Sequence, residues 1–147
     1  MPNIYDNEWG EQDEDWSGGG ALSKRLVPGG GPFLGATLYE LGHGNFMIYH
    51  AHHGSEELLL VLRGRPTLRT PDGERELGPW DCVFCPAGEA GAHKVTNHSD
   101  EPARIIIWSN RSNPGTTIYP DSNKVGAWPP GKLFRLDDAV DYFEGEV

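Results

Sequence analysis

The sequence predicts an all-β domain, and three observations carry that prediction. Eight short runs of β-forming residues follow one another between Phe33 and Ser109, separated by Gly, Pro, Asn and Asp. The 147 residues include 20 Gly and 12 Pro, which disfavours long helices. Between two of the runs, Pro71-Asp72-Gly73 has tight-turn chemistry: Pro presets φ, Asp caps the turn and Gly takes a positive φ. A sandwich or barrel follows.

In chain order, residues 1–32 are acidic and then Gly-rich, with Gly18-Gly19-Gly20 and Gly29-Gly30-Gly31 and only Trp9 and Trp16 as large apolar anchors. They read as an extended arm, ordered only where it docks. The barrel proper is expected over 33–110, with strands at Leu34–Leu41, Asn45–His52, Glu57–Arg63, Thr67–Thr70, Arg75–Leu77, Asp81–Cys85, His93–Asn97 and Arg104–Ser109. The Glu57–Leu62 run is apolar on both faces after its first residue, as a strand covered on both sides would be. A homodimer is therefore expected. Residues 111–147 form an extension that packs on the barrel, and near Asp137 it can start a short helix that buries Leu136, Val140, Tyr142 and Phe143.

Composition excludes several function classes. A chain of this length buries roughly 70% of its unfolded surface, enough for one core. The net charge of -10, with no cluster of Lys and Arg, repels phosphate backbones and anionic lipids, so neither nucleic acid nor membrane is an expected partner. The first twenty residues hold six carboxylates and no basic residue, unlike a signal peptide, and a cytoplasmic location is expected. Cys82 and Cys85 fall on opposite faces of a strand, about 10 Å apart and beyond disulfide reach. They are expected as reduced thiols with a structural role. The Gly triplets lack the Lys-Ser or Lys-Thr of a phosphate loop, and the Glu11–Asp15 run reads as solvated surface.

The chemistry concentrates at His50-Ala51-His52-His53-Gly54-Ser55-Glu56-Glu57. On a strand, side chains two apart share a face, so His50 and His52 converge while His53 points away. Glu57 returns beside them after the turn at Gly54, and two imidazoles with a carboxylate suit first-row divalent metals. Burying that set without a partner would cost several kcal/mol, on the order of the penalty for unpaired polar groups. His93 is the fourth candidate ligand. His43 and His98, beside Gly, Asn or Ser, read as ordinary turn residues.

From Gly44 to Gly64 the spacing is Gly, five residues, His50, one, His52, four, Glu57, six, Gly64. This resembles the first cupin motif in full. Pro86-Ala87-Gly88, His93 and Asn97 resemble the second, with two departures: four residues rather than two separate Gly88 from His93, and Trp80 stands where the family has Gly. Gly91 is expected to absorb the longer path so that His93 still projects inward. The 119–126 stretch and the ending also resemble a group of bacterial single-domain cupins.

The resemblance implies a double-stranded β-helix, the cupin jelly-roll barrel, with one divalent transition metal (Fe, Mn, Ni or Zn) held by His50, His52, Glu57 and His93. By strand parity Phe46, Ile48, Leu59 and Val61 would line an apolar pocket below the metal, with Trp108 and Tyr49 at its rim. The expected function is that of a metalloenzyme on a small oxygen-rich substrate, of isomerase, decarboxylase or dioxygenase type. The alternative is a binding or sensing module without catalysis. Glu56, Glu89 and His53 are near the ligands in sequence, but none is identified as a general base.

Overall fold

The computed structural model describes residues 1–9, 19–27, 31–112 and 114–147; the Glu11–Asp15 run, Trp16, Gly18 and Gly29-Gly30 lie outside the described residues. The strands are β1 (Leu22–Arg25), β2 (Leu34–Leu41), β3 (Ala51–His53), β4 (Glu57–Arg63), β5 (Thr67–Thr70), β6 (Gly73–Glu76), β7 (Cys82–Cys85), β8 (Lys94–Thr96), β9 (Ala103–Asn110), β10 (Gly115–Tyr119), β11 (Lys124–Trp128) and β12 (Lys132–Arg135). One antiparallel sheet has the order β1-β2-β9-β4-β7. Facing it are β12-β11-β10-β3 and β6-β5-β8, which single bridges at Phe46–Thr96 and His50–His93 join across. The fold is all-β and consistent with a jelly-roll barrel. Pro71-Asp72-Gly73 closes the β5–β6 hairpin, as its turn chemistry predicts.

Alternation along the strands decides what faces the interior. In β4, Leu59 and Val61 point inward and are fully buried with Leu41, Leu68, Val95 and Ile105. Burying each such side chain contributes about 1.5–3 kcal/mol. Leu58 points outward and is 39% exposed, beside Phe84 and Trp108 in register, so among the described residues no second sheet covers this face. Toward the other edge of the same sheet the N-terminal arm docks. Arg104, itself buried, donates to the carbonyls of Ile4 (2.8 Å) and Asp6 (3.4 Å), to Asn7 Oδ1 (2.9 Å) and to Glu40. Lys24 pairs with Asp6, and the Trp9 ring lies 5.0 Å from the Arg104 guanidinium.

Two expectations about the chain path need correction. The Asn45–His52 run is not one strand: Phe46 and His50 make isolated bridges, and only residues 51–53 belong to β3. The C-terminal segment forms no helix. Leu136–Asp138 is a single 3₁₀ turn with Arg135 at its N-cap and no side-chain cap, and the Asp137 carboxylate within it accepts from Asn123 Nδ2 (2.7 Å). Leu136, Val140, Tyr142 and Phe143 are all exposed rather than buried. Residues 115–135 build sheet: β10 pairs with β3, placing Thr117 opposite His52. Among the described residues no helix is long and apolar enough to cross a membrane.

Candidate metal centre

Glu57 is the first residue of β4, flanked in register by Cys85 of β7 and Ser109 of β9. Its carboxylate faces the opposite sheet, where the histidines stand. His50 and His93 are bonded backbone to backbone, each N–H donating to the other's carbonyl (3.2 and 2.9 Å). This pairing fixes their side chains next to each other, with ring centroids 4.7 Å apart. His52, two residues on from His50, adds a third ring at 4.7 Å from it. Groups on His50, His52 and Glu57 lie within 4.8 Å of one another. His93 Nε2 is 3.2 Å from Glu57 Oε2, and the Nε2 atoms of His52 and His50 lie 3.5 and 3.9 Å from the same carboxylate.

The longer turn before His93 explains how that ring still arrives. Residues Glu89–Gly91 form a 3₁₀ turn, and a Cβ built on Gly91 would sit 1.7 Å from the Pro86 carbonyl oxygen. Only glycine permits that approach. Asn97, also of the second motif, serves structure instead: buried, it donates to the Leu41 and Glu101 carbonyls and accepts from Ser99. Trp80, at the family's Gly position, has φ of 74°, in the left-handed region that favours glycine.

Every imidazole is held at Nδ1, which leaves Nε2 turned to the centre. His50 Nδ1 donates to the Ile48 carbonyl (2.7 Å) and His93 Nδ1 to that of Gly91 (2.9 Å). His52 Nδ1 is 3.1 Å from Thr117 Oγ1, which accepts from Trp128 Nε1 (3.2 Å). Such partners orient ligand rings and select the tautomer. Glu57 Oε2 and His93 Nε2 are buried without a well-aligned hydrogen bond, although the two face each other as an ion pair at 3.2 Å. Leaving such atoms unsatisfied costs about 1–3 kcal/mol each, more for charged groups. A cation there would relieve that cost. His50, His52 and Glu57 are the residues whose ligand atoms all lie close enough to share one, and His93 is not in that group; two imidazoles with a carboxylate suit a divalent transition metal.

The electrostatics agree. Burial pushes His50 down to about 4, and His93 and His52 push the same way. His52 is also lowered, chiefly by burial. For Glu57, burial alone would raise the pKa, but His93, His52 and His50 together hold the carboxyl below its usual range. Burial would lower His93, yet Cys85 and Glu57 outweigh it and bring its pKa to about 10. The pocket therefore attracts positive charge: His50 and His52 are kept neutral as ligands require, whereas His93 holds a proton that it would have to give up to bind a cation through Nε2.

The predicted pocket wall is not where strand parity put it. Leu59 and Val61 have no accessible surface and belong to the packed core. Ile48 is 40% exposed, and Phe46 is half-buried beneath the Lys94 ammonium, 4.4 Å from the ring centroid. Met47 packs on the core instead. Because the chain between Met47 and Tyr49 is irregular, the two-residue alternation does not carry through from Phe46 to His50. Trp108 lies on the outer face with Leu58, and Tyr49 is buried under Arg69.

Residues from the extension stand around the site instead. Tyr119 places its ring 6.3 Å from that of His50, and burial raises its phenol pKa. Thr117 and Trp128 support His52. The signal was present: Gly115–Tyr119 and Lys124–Trp128 are two β-forming runs around Pro120-Asp121-Ser122-Asn123, the pattern of a hairpin. Cys85, expected as structural, is buried against His93, and both cysteines are free.

A family model described as the cupin domain matches residues 37–109. No curated protein matches this chain. Among solved structures, a sugar phosphate isomerase of the cupin superfamily from Silicibacter pomeroyi is 28% identical, covering 85% of this chain and 82% of its own, with a TM-score of 0.76. A provisionally named sugar phosphate isomerase from Acidithiobacillus ferrooxidans is 26% identical, covering 82% and 80%, with a TM-score of 0.74. A conserved-barrel cupin from Salinispora arenicola, at 22% identity, 63% and 77% coverage and a TM-score of 0.55, shares the fold. With the two-sheet barrel, the spaced histidines and Glu57 in one place, these matches identify residues 37–109 as a cupin domain and the chain as a cupin-domain protein.

Proposed function

We propose that this chain is a metal-dependent isomerase of a small sugar, with a sugar phosphate as substrate. The observation that supports the metal is the convergence of His50, His52 and Glu57 within 4.8 Å, with the histidine rings already held at Nδ1. The reaction class is supported by the two neighbours named as sugar phosphate isomerases, which match over more than the cupin domain alone. Of the expected classes, isomerisation also asks least of the site. It moves hydrogen between adjacent carbons and consumes no oxidant or reductant.

A divalent cation bound by His50, His52, Glu57 and His93 would supply Lewis-acid polarisation of a substrate oxygen. The chain's own groups do the rest. Main-chain carbonyls and Thr117 orient the rings, and the half-buried wall excludes bulk water. Tyr119, with its raised pKa, keeps a proton on its hydroxyl at neutral pH beside His50.

The test is metal analysis of the purified chain and of His50→Ala and Glu57→Gln, with isomer formation from aldose phosphates followed by NMR. Stoichiometric metal in the wild type is expected, with loss in both variants exceeding the roughly 10–100-fold that changes behind the ligands cause. Metal retained by both variants would sink the site. Metal-loaded protein that converts none of the aldose phosphates would sink the reaction.

A further inference from the structure

A cavity of about 350 Å³ is lined by Gly31, Pro32, Arg111, Ser112, Trp128 and Pro129, of which Trp128 is hydrogen-bonded to the Thr117 that contacts His52. That volume is in the range of small-molecule sites. Its walls come from opposite sheets, since Arg111 directly follows β9 and Trp128 ends β11. Both walls lead to the centre. Trp128 Nε1 donates to Thr117 Oγ1, which in turn holds His52 Nδ1. On the other side, Ser109 stands in register with both Glu57 and Gly35. A Cβ on Gly35 would lie 2.9 Å from Ser109 Oγ and 3.5 and 3.6 Å from Cγ and Cδ of Arg111. The Arg111 stem thus lies within ordinary contact distance of Gly35, next to Ser109, the residue in register with Glu57.

Arg111, like Arg75 and Arg135, differs from the four arginines that are held in ion pairs, and of these three it alone lines the cavity. Arg63, Arg65, Arg69 and Arg104 each pair with a carboxylate at 2.6–2.7 Å. Arg111 has no carboxylate partner among the described residues; its guanidinium makes one long bond, Nη1 to the Gly31 carbonyl at 3.4 Å. Its backbone is nevertheless fixed, the N–H donating to the Phe33 carbonyl at 2.9 Å. In a chain of net charge -10, this is a positioned cation with donors to spare. No carboxylate lines the cavity to repel an anion.

We infer that Arg111 is the specificity-determining residue for the phosphate group of the substrate, binding it in this cavity while the sugar's oxygens reach the His50–His52–Glu57–His93 cluster. This rests on the proposed isomerase reading for the substrate class, and on the cavity and the unpaired guanidinium for the residue. The planar guanidinium fork matches phosphate oxygens with two parallel hydrogen bonds, which a lysine ammonium does not reproduce.

The experiment is calorimetric titration of the full-length, metal-loaded protein with inorganic phosphate, ribose 5-phosphate, ribose and gluconate. Wild type, Arg111→Gln, Arg111→Lys and the remote Arg75→Gln are compared, with metal content measured for each. The expected result is at least tenfold weaker binding of both phosphates by Arg111→Gln. Arg111→Lys should recover part of it, Arg75→Gln should match wild type, and metal content should not change. Phosphate binding that is absent in wild type or equal in Arg111→Gln overturns the inference, as does gluconate binding more tightly than ribose 5-phosphate. Loss of metal from Arg111→Gln would make it a structural residue and overturns it too. Phosphate binding that depends on Arg111 in a chain without turnover would uphold this inference while the isomerase reading fails.

Discussion

The two ends of this barrel are built from the same strands and do opposite work. In β4, Glu57 stands at the mouth, and Leu59 and Val61 follow at two-residue steps into the fully buried core. In β9 the same steps run from Ser109 through Ile107 and Ile105 to Ala103, and in β2 from Gly35 through Thr37 and Tyr39 to Leu41. One end is closed by aliphatic packing and needs no ligand. The other carries a buried carboxylate and imidazole that face each other without a well-aligned hydrogen bond, beside two more imidazoles, and is where we propose a cation binds. The contrast shows stability and chemistry separated along the strand axis, so a substitution at one end should leave the other end's property intact.

Three substitutions would break or sharpen that separation, in addition to those at the ligands and at Arg111. The largest effect is expected from Leu59→Ala at the closed end, which leaves a void in the core and costs about 2–5 kcal/mol. Denaturant unfolding should show that loss, while protein that remains folded keeps its full metal content. Metal lost from the folded fraction would mean that the two ends are coupled. Next comes Thr117→Val, which keeps the shape but removes the hydroxyl that holds His52 Nδ1 and accepts from Trp128. Competition with a chelator should report about 10–100-fold weaker metal affinity. An unchanged affinity would show that Thr117 does not orient the ring. The smallest effect is expected from Trp80→Gly, where a 69% exposed side chain sits in the left-handed region. Relief of that strain should raise stability by up to about 1 kcal/mol, less the entropy glycine adds to the unfolded chain. The urea midpoint reads the change, and a fall in stability would show that the indole makes a stabilising contact.

How much could be read beforehand follows the same division. Regular strands obey a two-residue period, so β2, β4, β5, β7 and β9 were legible within a residue or so, and with them the convergence of His50, His52 and Glu57. Where the backbone leaves that period, parity failed. Phe46 and Ile48 share the ligand face only if the segment from Asn45 to His52 is one unbroken strand, whereas its irregular middle turns Met47 to the core and Ile48 outward. Leu59 and Val61 were on the predicted face but too deep to border a cavity. The C-terminal residues misled in another way: their apolar positions suggested a buried helix, but the segment has too little capping to form one and lies exposed.

Local sequence therefore determined the class of fold and the clustering of His50, His52 and Glu57, because side-chain alternation, turn chemistry and motif spacing act over a few residues. Tertiary structure alone decided what surrounds those ligands. Thr117, Tyr119, Trp128 and Arg111 are roughly 50–80 residues from His50 or Gly31 in the chain and reach the mouth only through the pairing of β10 with β3 and of β9 with β2. The position of His93 depends on both: its identity is in the sequence, and its arrival at Glu57 depends on a 3₁₀ turn tight enough to press Gly91 against Pro86.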